Sequence, residues 1–264
     1  MSALGIGIHG AAGRMGALVA SLVREAPDLR LALATDHGGH PRIGADLGEV
    51  LGREAWGLPL SRLSARAGEH VDVVIDFSLP EGTEELLAAL PGVPLVIGTT
   101  ALPERTREAL AAHARGAPVV SAPNFSQGVA VLRRALADVA RHLPDWDVEI
   151  VEMHHRRKRD APSGTALALG RTVAEARAQR FEEVLRYGRH GSDEARADGE
   201  IAIHALRGGD IVGEHTVRLS GPGEHVSLVH VATSREAFAR GAIRAARWVH
   251  DKRPGAYTFE DVTA

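Results

Sequence analysis

The chain has no cysteine. Disulfides, thiolate metal sites and a cysteine nucleophile are therefore excluded. The same absence is compatible with the cytosol, and a cytoplasmic location is expected. Long apolar runs are missing as well, so no segment reads as a membrane span and no membrane partner is expected. The opening residues, Met1 to Gly10, lack a basic stretch followed by a long apolar run and do not read as a signal peptide. An excess of one charge is also lacking. A formal net charge of -3 leaves no global basic field for nucleic acid or a membrane surface. There is no internal repeat and no low-complexity segment beyond a mild richness in Arg and Ala. What is present is 264 residues with 44% hydrophobic content, enough for one large domain or two modest ones.

Leu4 to Ile8 is a short apolar run that reads as a buried strand. Gly10-Ala11-Ala12-Gly13-Arg14-Met15-Gly16 follows, then a helix with Met15, Leu18, Val19, Leu22 and Val23 on one face. A second strand, Arg30 to Thr35, ends at Asp36. Strand, glycine turn, helix, strand and then an acidic residue about 20 residues past the last glycine make the context a dinucleotide fingerprint requires. Gly10 makes the tight turn, Gly13 lets a pyrophosphate come close, and Gly16 lets the helix pack on the strand. The spacing Gly-x-x-Gly-x-x-Gly is not the commoner Gly-x-Gly-x-x-Gly, and a plain strand-to-helix turn would account for the glycines alone. Asp36 tips the balance to a cofactor site. Its carboxylate suits the ribose hydroxyls of the adenosine and repels a 2′-phosphate. His37, Gly38, Gly39 and His40 come next, with Arg42 further on. NADH is the expected cofactor; NADPH, tolerated through His37 or Arg42, is the weaker alternative.

Strands Val71 to Phe77, Val93 to Ile97 and Ala117 to Ala122 alternate with helices Pro80 to Leu90 and Pro103 to Arg115. Such alternation implies a parallel, doubly wound sheet, with ligands at the carboxyl ends of its strands. That places Phe77-Ser78, Gly98-Thr99-Thr100 and Ala122-Pro123-Asn124-Phe125 around one crevice. Ser78 and Thr100 also read as ordinary helix caps.

In the second half, Ser126 to Leu143 reads as a helix with Val131, Leu132, Ala135, Leu136 and Val139 as its stripe. A strand, Val148 to Met153, and a helix, Gly164 to Phe181, follow. Tyr187 to Gly199 is rich in glycine and charge and is expected to be a mobile loop. Strands are expected over Glu200 to Arg207, Ile211 to Ser220 and Glu224 to Thr233. The Gly208-Gly209 and Gly221-Pro222-Gly223 turns would join them as hairpins. With Val148 to Met153 this makes a mostly antiparallel, mixed four-stranded sheet. His204, His215, His225 and His230 are spread over these strands in no ligand pattern. They are assigned to a sheet face or a subunit contact, and no metal is expected. The last helix, Arg235 to His250, carries Phe238, Ala242, Ala245 and Trp248 on one stripe.

Between the two halves lies the densest chemistry, Glu149 to Ala168. Two imidazoles, His154 and His155, precede Arg156, Arg157, Lys158 and Arg159. Asp160-Ala161-Pro162-Ser163-Gly164-Thr165 then runs into a helix. Pro162 suits a first helical turn, and Asp160 or Ser163 would cap it. A helix N-terminus offers unpaired N–H groups and partial positive charge to an anion. Ser163 and Thr165 add hydroxyls, Gly164 permits close approach, and Lys158 supplies a full charge. An imidazole, which titrates near neutrality, can donate a proton beside it. Spacing does not choose between His154 and His155. The run would also fit a solvated face or a nucleic-acid patch. Its shortness, the lack of interleaved aromatics and the acidic chain argue against that, and no nucleic-acid partner is expected.

From Glu152 to Ala166, without a gap, the pattern His-His-x-x-Lys-x-Asp-Ala-Pro-Ser-Gly-Thr-Ala resembles the signature of the 4-hydroxy-tetrahydrodipicolinate reductases, also called dihydrodipicolinate reductases, of the diaminopimelate route to lysine. Gly13-Arg14-Met15-Gly16 resembles the same family's cofactor turn. Gly44-Ala45-Asp46-Leu47-Gly48 resembles a family loop, with no role that the residues themselves supply. The resemblance implies an α/β chain. An N-terminal Rossmann-like dinucleotide-binding domain would comprise residues 1–125 plus 235–264. A C-terminal α+β domain, residues 126–234, would bind substrate and assemble homotetramers. It implies Gly10, Ala11, Ala12, Gly13, Arg14 and Met15 along the pyrophosphate, with Asp36 and His37 at the adenosine. Phe77, Gly98, Thr99, Thr100, Ala122, Pro123, Asn124 and Phe125 would lie towards the nicotinamide. It implies His154 as proton donor and Lys158 as stabiliser of building negative charge. His155, Ser163, Gly164 and Thr165 would hold the carboxylates of a cyclic imine dicarboxylate, while Arg156, Arg157 and Arg159 steer the dianion inward.

One position departs from the family pattern. Where many members carry an arginine that tolerates the 2′-phosphate, this chain has His37. The rivals are other two-domain dehydrogenases and a non-catalytic NAD(H)-sensing regulator. The aspartate-semialdehyde type needs a cysteine and is excluded. A substrate screen following NADH oxidation separates the others, and salt-dependent DNA binding would mark the regulator.

Overall fold

The computed structural model describes residues 3–192 and 195–264, so positions 193 and 194 of the expected 187–199 loop lie outside the described residues. The chain divides into two compact units, Met1–Phe125 with Glu236–Ala264, and Ser126–Arg235. The first unit runs β1 (Leu4–His9), α1 (Arg14–Glu25), β2 (Leu29–Thr35), α2 (Leu47–Val50), β3 (Leu60–Ser61), a 3-10 turn (Ala65–His70), β4 (Val73–Asp76), α3 (Pro80–Ala89), β5 (Leu95–Ile97), α4 (Glu104–Ala114) and β6 (Pro118–Ser121). The second holds α5 (Gln127–His142), β7 (Asp147–His154), α6 (Gly164–Ala176), α7 (Phe181–Val184), β8 (Leu185–Tyr187), β9 (Ile201–Arg207), β10 (Gly213–Gly221) and β11 (Glu224–Ala232). The chain then returns to the first unit with α8 (Glu236–Val249), β12 (Gly255–Tyr257) and α9 (Phe259–Val262).

The first unit is the doubly wound sheet the alternation predicts. Seven strands lie in the order β12-β6-β5-β4-β1-β2-β3, and every ladder is parallel. Every residue of β4 and β5 is buried, which requires helical cover on both faces. Val74, Leu95, Ile97 and Val119 pack with Leu86, Leu90 and Ala114 of α3 and α4. Helix α8 packs on α1 and along β4, β5 and β6. Its inward stripe is Ala239, Ala242, Ile243, Ala246 and Val249, while Phe238 and Trp248 sit half-buried at its margin. Small residues suit this helix because it packs closely on the loop after β6: a Cβ on Gly241 would fall 1.7 Å from the Phe125 carbonyl oxygen. The strand order reverses between β1 and β4, so the topological switch point lies between their carboxyl ends.

The Gly44–Gly48 run acquires a role here. The Asp46 carboxylate caps α2 through Gly48 N–H and also accepts from the N–H groups of Trp56, Gly57 and Leu58, stapling the 47–58 loop. Those bonds, that of Trp56 foremost, hold its carboxyl below the ordinary range.

The second unit has a five-stranded mixed sheet, β11-β10-β7-β9-β8. Strand β10 runs antiparallel to β11 and β7, and β9 runs parallel to β7 and β8. The turn at Gly221-Pro222-Gly223 makes the expected hairpin, since Gly221 pairs with Glu224. The expected Gly208-Gly209 hairpin does not form, because β7 lies between β9 and β10. The 208–211 link crosses the end of β7 instead. Gly208 N–H donates to His154 O, and His155 N–H to Ile211 O, both within 2.9 Å. Central burial of β7 outweighs the local turn signal: Val148, Ile150, Glu152 and His154 are all buried on one parity.

Leu132, Leu136, Leu169, Val173, Val217 and Leu219 form the core beneath this sheet. The stripe of α5 is Val129, Leu132, Leu136 and Ala140. Val131 is 53% exposed and Ala135 is exposed, each one residue off the buried row. Helix α6 stops at Ala176, and Phe181 opens α7, packing its ring against Gly170.

Candidate active site

At the switch point a crevice of about 380 Å³ is lined by His9, Gly10, Gly13, Asp36, His37 and Phe77. Gly10 has φ 76°, and a Cβ there would lie 2.8 Å from the Phe77 carbonyl oxygen. A Cβ on Gly16 would lie 2.1 Å from the Gly10 carbonyl oxygen, so α1 rests directly on the turn. Gly13 is different: within 4 Å its Cβ would meet Gly10 O alone, at 3.2 Å, and the position is exposed. Gly13 is also the N-cap of α1, which has no side-chain cap and no acidic residue in its first turn. This end of the helix is therefore a ready anion site. Asp36 Oδ2 accepts from Ala12 N–H at 3.0 Å and Oδ1 from His37 N–H at 2.9 Å, tying the carboxylate to the glycine turn. His9 Nδ1 meets Thr35 Oγ1 at 2.9 Å, while its buried Nε2 has no hydrogen-bond partner among the described residues. Glu81 and Glu85 add carboxylates to the lining, and His40 adds an imidazole. The anion-ready helix end, the ribose-suited carboxylate and the open polar position at His9 fit a dinucleotide.

Sequence reasoning assigned no role to His9 or Asp76. Asp76 is fully buried and accepts from Ser78 N–H at 2.8 Å, Thr83 Oγ1 at 2.6 Å and Thr99 Oγ1 at 3.1 Å. It thereby sets the loops after β4 and β5. A Cβ on Gly98 would fall 2.2 Å from the Phe77 ring, and that ring meets Phe125 edge-on at 6.0 Å. Phe77, Gly98, Thr99 and Phe125 are thus brought together. Ala122 is buried, whereas Thr100 and Pro123 are exposed.

In the second unit, strand register assembles the chemistry. Glu152 on β7 stands opposite His215 on β10, and His215 stands opposite His230 on β11; His154 stands opposite Arg207 on β9. Glu152 is fully buried. Its Oε2 accepts from His154 Nδ1 at 2.6 Å and Arg207 Nη1 at 2.8 Å, and its Oε1 from Arg207 Nη2 at 2.8 Å and Ser163 N–H at 2.9 Å. Burial alone would raise its carboxyl, but the bonds from His154, Arg207 and Ser163 hold it at about 2. An ionised carboxylate only accepts, so His154 carries its hydrogen on Nδ1. His154 is 8% exposed and stacks edge-on with His215 at 5.2 Å. Burial, and then the neighbouring His154, push His215 down to about 3, so it is neutral at ordinary pH. Its Nε2 meets Ser163 Oγ at 3.2 Å. His230 meets Ser126 Oγ at 3.0 Å, and burial lowers it too.

Ser163, not Asp160, is the N-cap of α6, with Oγ accepting from Ala166 N–H; Pro162 precedes the cap instead of opening the helix. Asp160 pairs with Lys158 Nζ at 2.9 Å. Gly164 is exposed, and a Cβ there would meet nothing within 4 Å. His155, Lys158 and Thr165 are half-buried, while Arg156, Arg157 and Arg159 are exposed. The structure thus joins His154 and Ser163 through Glu152. Glu152 and Arg207 received no role from the sequence, and His215, expected at a sheet face or a subunit contact, is instead buried against His154 and Ser163. Parity was the available signal, since Glu152 shares the inward face of Val148 and Ile150, and His215 that of Val217 and Leu219. His204 lies on the opposite face, paired with Glu149 at 2.6 Å.

A parallel sheet with a dinucleotide crevice at its switch point, together with a buried imidazole–carboxylate pair beside a helix N-terminus, defines a nicotinamide-dependent oxidoreductase. Residues 4–125 match the family model described as Dihydrodipicolinate reductase, N-terminus, and residues 128–263 match its C-terminal counterpart. The 4-hydroxy-tetrahydrodipicolinate reductase of Rubrobacter xylanophilus is 48% identical over 256 residues, covering 97% of this chain and 96% of that protein. The reductase of the same name from Halorhodospira halophila is 45% identical over 262 residues, covering 98% of each. Dipicolinate-bound dihydrodipicolinate reductase from Paenisporosarcina sp. TG-14 superposes with a TM-score of 0.74 at 25% identity, covering 98% of this chain and 99% of that one. The chain belongs to the dihydrodipicolinate reductase family.

Proposed function

We propose that this chain acts as a 4-hydroxy-tetrahydrodipicolinate reductase, reducing a cyclic, conjugated imine dicarboxylate in the diaminopimelate route to lysine. The observation that carries the site assignment is a nearly buried imidazole, His154, held through Nδ1 beside the N-terminus of α6. A reduced nicotinamide, when bound, supplies hydride to the ring carbon–carbon double bond conjugated to the imine. His154 gives the proton to the neighbouring carbon from Nε2 and is left neutral. Lys158 leaves Asp160 to stabilise the negative charge that builds on the ring. His155, Ser163, Gly164 and Thr165 hold the carboxylates. The chain's own packing does not demand glycine at 164, which supports an approaching ligand as the reason for it. Exposed Arg156, Arg157 and Arg159 draw the dianion in.

In the first unit, Gly10, Ala11, Ala12, Gly13, Arg14 and Met15 cradle the pyrophosphate. Asp36 accepts from the ribose hydroxyls with His37 beside it, and Phe77, Gly98, Thr99, Thr100 and Ala122 to Phe125 flank the nicotinamide. NADH is favoured over NADPH, because Asp36, Glu81 and Glu85 line the crevice with negative charge and Arg42 is not among its lining residues. The proposed location is the cytoplasm, where such biosynthesis would run. Among the described residues no helix is long and apolar enough to cross a membrane.

The second unit also assembles homotetramers. The face of its sheet away from α5 and α6 presents Val151, Leu206, Val229 and Val231, which are 38%, 39%, 59% and 51% exposed. A second copy of this chain is the occupant.

Coupled oxidation of NADH, with substrate generated enzymatically and NADPH run in parallel, tests the reading. NADH should be consumed faster. His154→Gln should lower kcat by roughly a hundredfold or more while leaving cofactor affinity intact. Unchanged turnover would remove His154 from the reaction, and no oxidation with either cofactor would overturn the assignment.

A further inference from the structure

A proton donor on a flexible ring is useless unless the ring is held and its hydrogens are placed. In the second unit one carboxylate does both. Glu152 reaches His154 Nδ1 with Oε2 at 2.6 Å and the Ser163 N–H with Oε1 at 2.9 Å. Arg207 bridges both oxygens at 2.8 Å from the strand on the other side. No solvent reaches the carboxylate, so among the described residues its charge is answered by these groups. The geometry points to Glu152 as a positioning residue that keeps the hydrogen of neutral His154 on Nδ1 and ties the acid to the anion-binding turn at Ser163, with Arg207 setting how strongly the proton is held. This rests on the assignment of His154 as acid, and it adds the device that orients and charges it.

The logic is electrostatic. A carboxylate beside the ring favours the imidazolium, and a guanidinium paired to that carboxylate opposes it. Among the described residues, His215 on β10 stacks on the ring with His230 behind it, and the Lys158–Asp160 pair lies in the loop after β7. His215 is neutral, and the Lys158–Asp160 pair carries no net charge. Glu152 and Arg207 are therefore the charged groups whose removal acts directly. Their effects have opposite sign, which a merely structural role does not predict.

Two measurements test this on the whole enzyme. The first is nitrogen-15 NMR of His154 in the wild-type protein, with Glu152→Gln alongside. The neutral ring should be the Nδ1–H form in the wild type and lose that preference in the variant. A wild-type ring with hydrogen on Nε2, or a variant that keeps the wild-type pattern, overturns the proposal. The second is the pH dependence of kcat, read beside the NMR titration of His154. Activity that needs the protonated ring is present below its midpoint and lost above it. Glu152→Gln should move that alkaline limb down by roughly one pH unit or more, and Arg207→Gln should move it up. Glu152→Asp, which keeps the charge, should leave the limb nearer its wild-type place. Arg207 lies towards the surface, so its variant remains informative if Glu152→Gln folds poorly. Shifts of both variants in one direction, or no shift, overturn the role. If His154→Gln leaves turnover unchanged, it is the acid assignment that fails; the NMR arm still decides what Glu152 does.

Discussion

Asp36 shows how much a single side chain conveys at the residue scale. Its place after β2, about 20 residues beyond the glycine turn, is the basis for the proposal that it reads the ribose hydroxyls. The structure adds that it also accepts from Ala12 N–H, so it braces the turn it serves. Asp36→Ala should raise the KM for NADH by roughly tenfold or more, the worth of hydrogen bonds to a charged group, and change that for NADPH much less. Initial rates with both cofactors check this; equal losses would mean the carboxylate braces the turn without discriminating. The glycine turn, Asp36 and the His154–Thr165 motif stand out by local pattern alone. Glu152, Arg207 and His215 do not. The Arg207–Glu152 and His215–Ser163 bonds span 55 and 52 positions in the chain. No local pattern records such a distance.

At the scale of elements, α6 separates two jobs within neighbouring residues. Ser163 caps the helix and meets His215, whereas Gly164 touches nothing that a methyl group would disturb. Ser163→Ala should therefore cost about 1 kcal/mol of stability and lower Tm by roughly 2–4 °C, along with a higher KM for the dicarboxylate. Gly164→Ala should leave Tm unchanged or slightly higher and raise KM alone, since alanine favours helix. Thermal melts beside steady-state kinetics distinguish them, and a fall in Tm for Gly164→Ala would contradict the open geometry. The extents of most helices and strands follow from periodicity and caps. The short edge strands β3, β8 and β12 do not, because so few residues carry no period to read, and β8 makes the second sheet five-stranded where four strands were expected.

The whole molecule poses the question of what covers the open face of the second sheet. Cross-strand register lines Val229, Thr216, Val151 and His204 across that face. Burying its valines in a second copy predicts that Val229→Lys yields smaller species in analytical ultracentrifugation. The wild type should sediment as a tetramer, and circular dichroism should be unaltered. A monomeric wild type would overturn the assembly.

By itself the sequence determined the doubly wound class of the first unit, its glycine turn and the family-signature motif between the two halves. Each depends on residues within a few positions of one another, where steric and hydrogen-bonding preferences act directly. Tertiary structure alone decided that β7 lies between β9 and β10. That placement sets Arg207 opposite His154 and Glu152 opposite His215. Strand order follows from which surfaces a sheet buries as a whole, and a turn signal such as Gly208-Gly209 holds no information about a strand inserted from earlier in the chain.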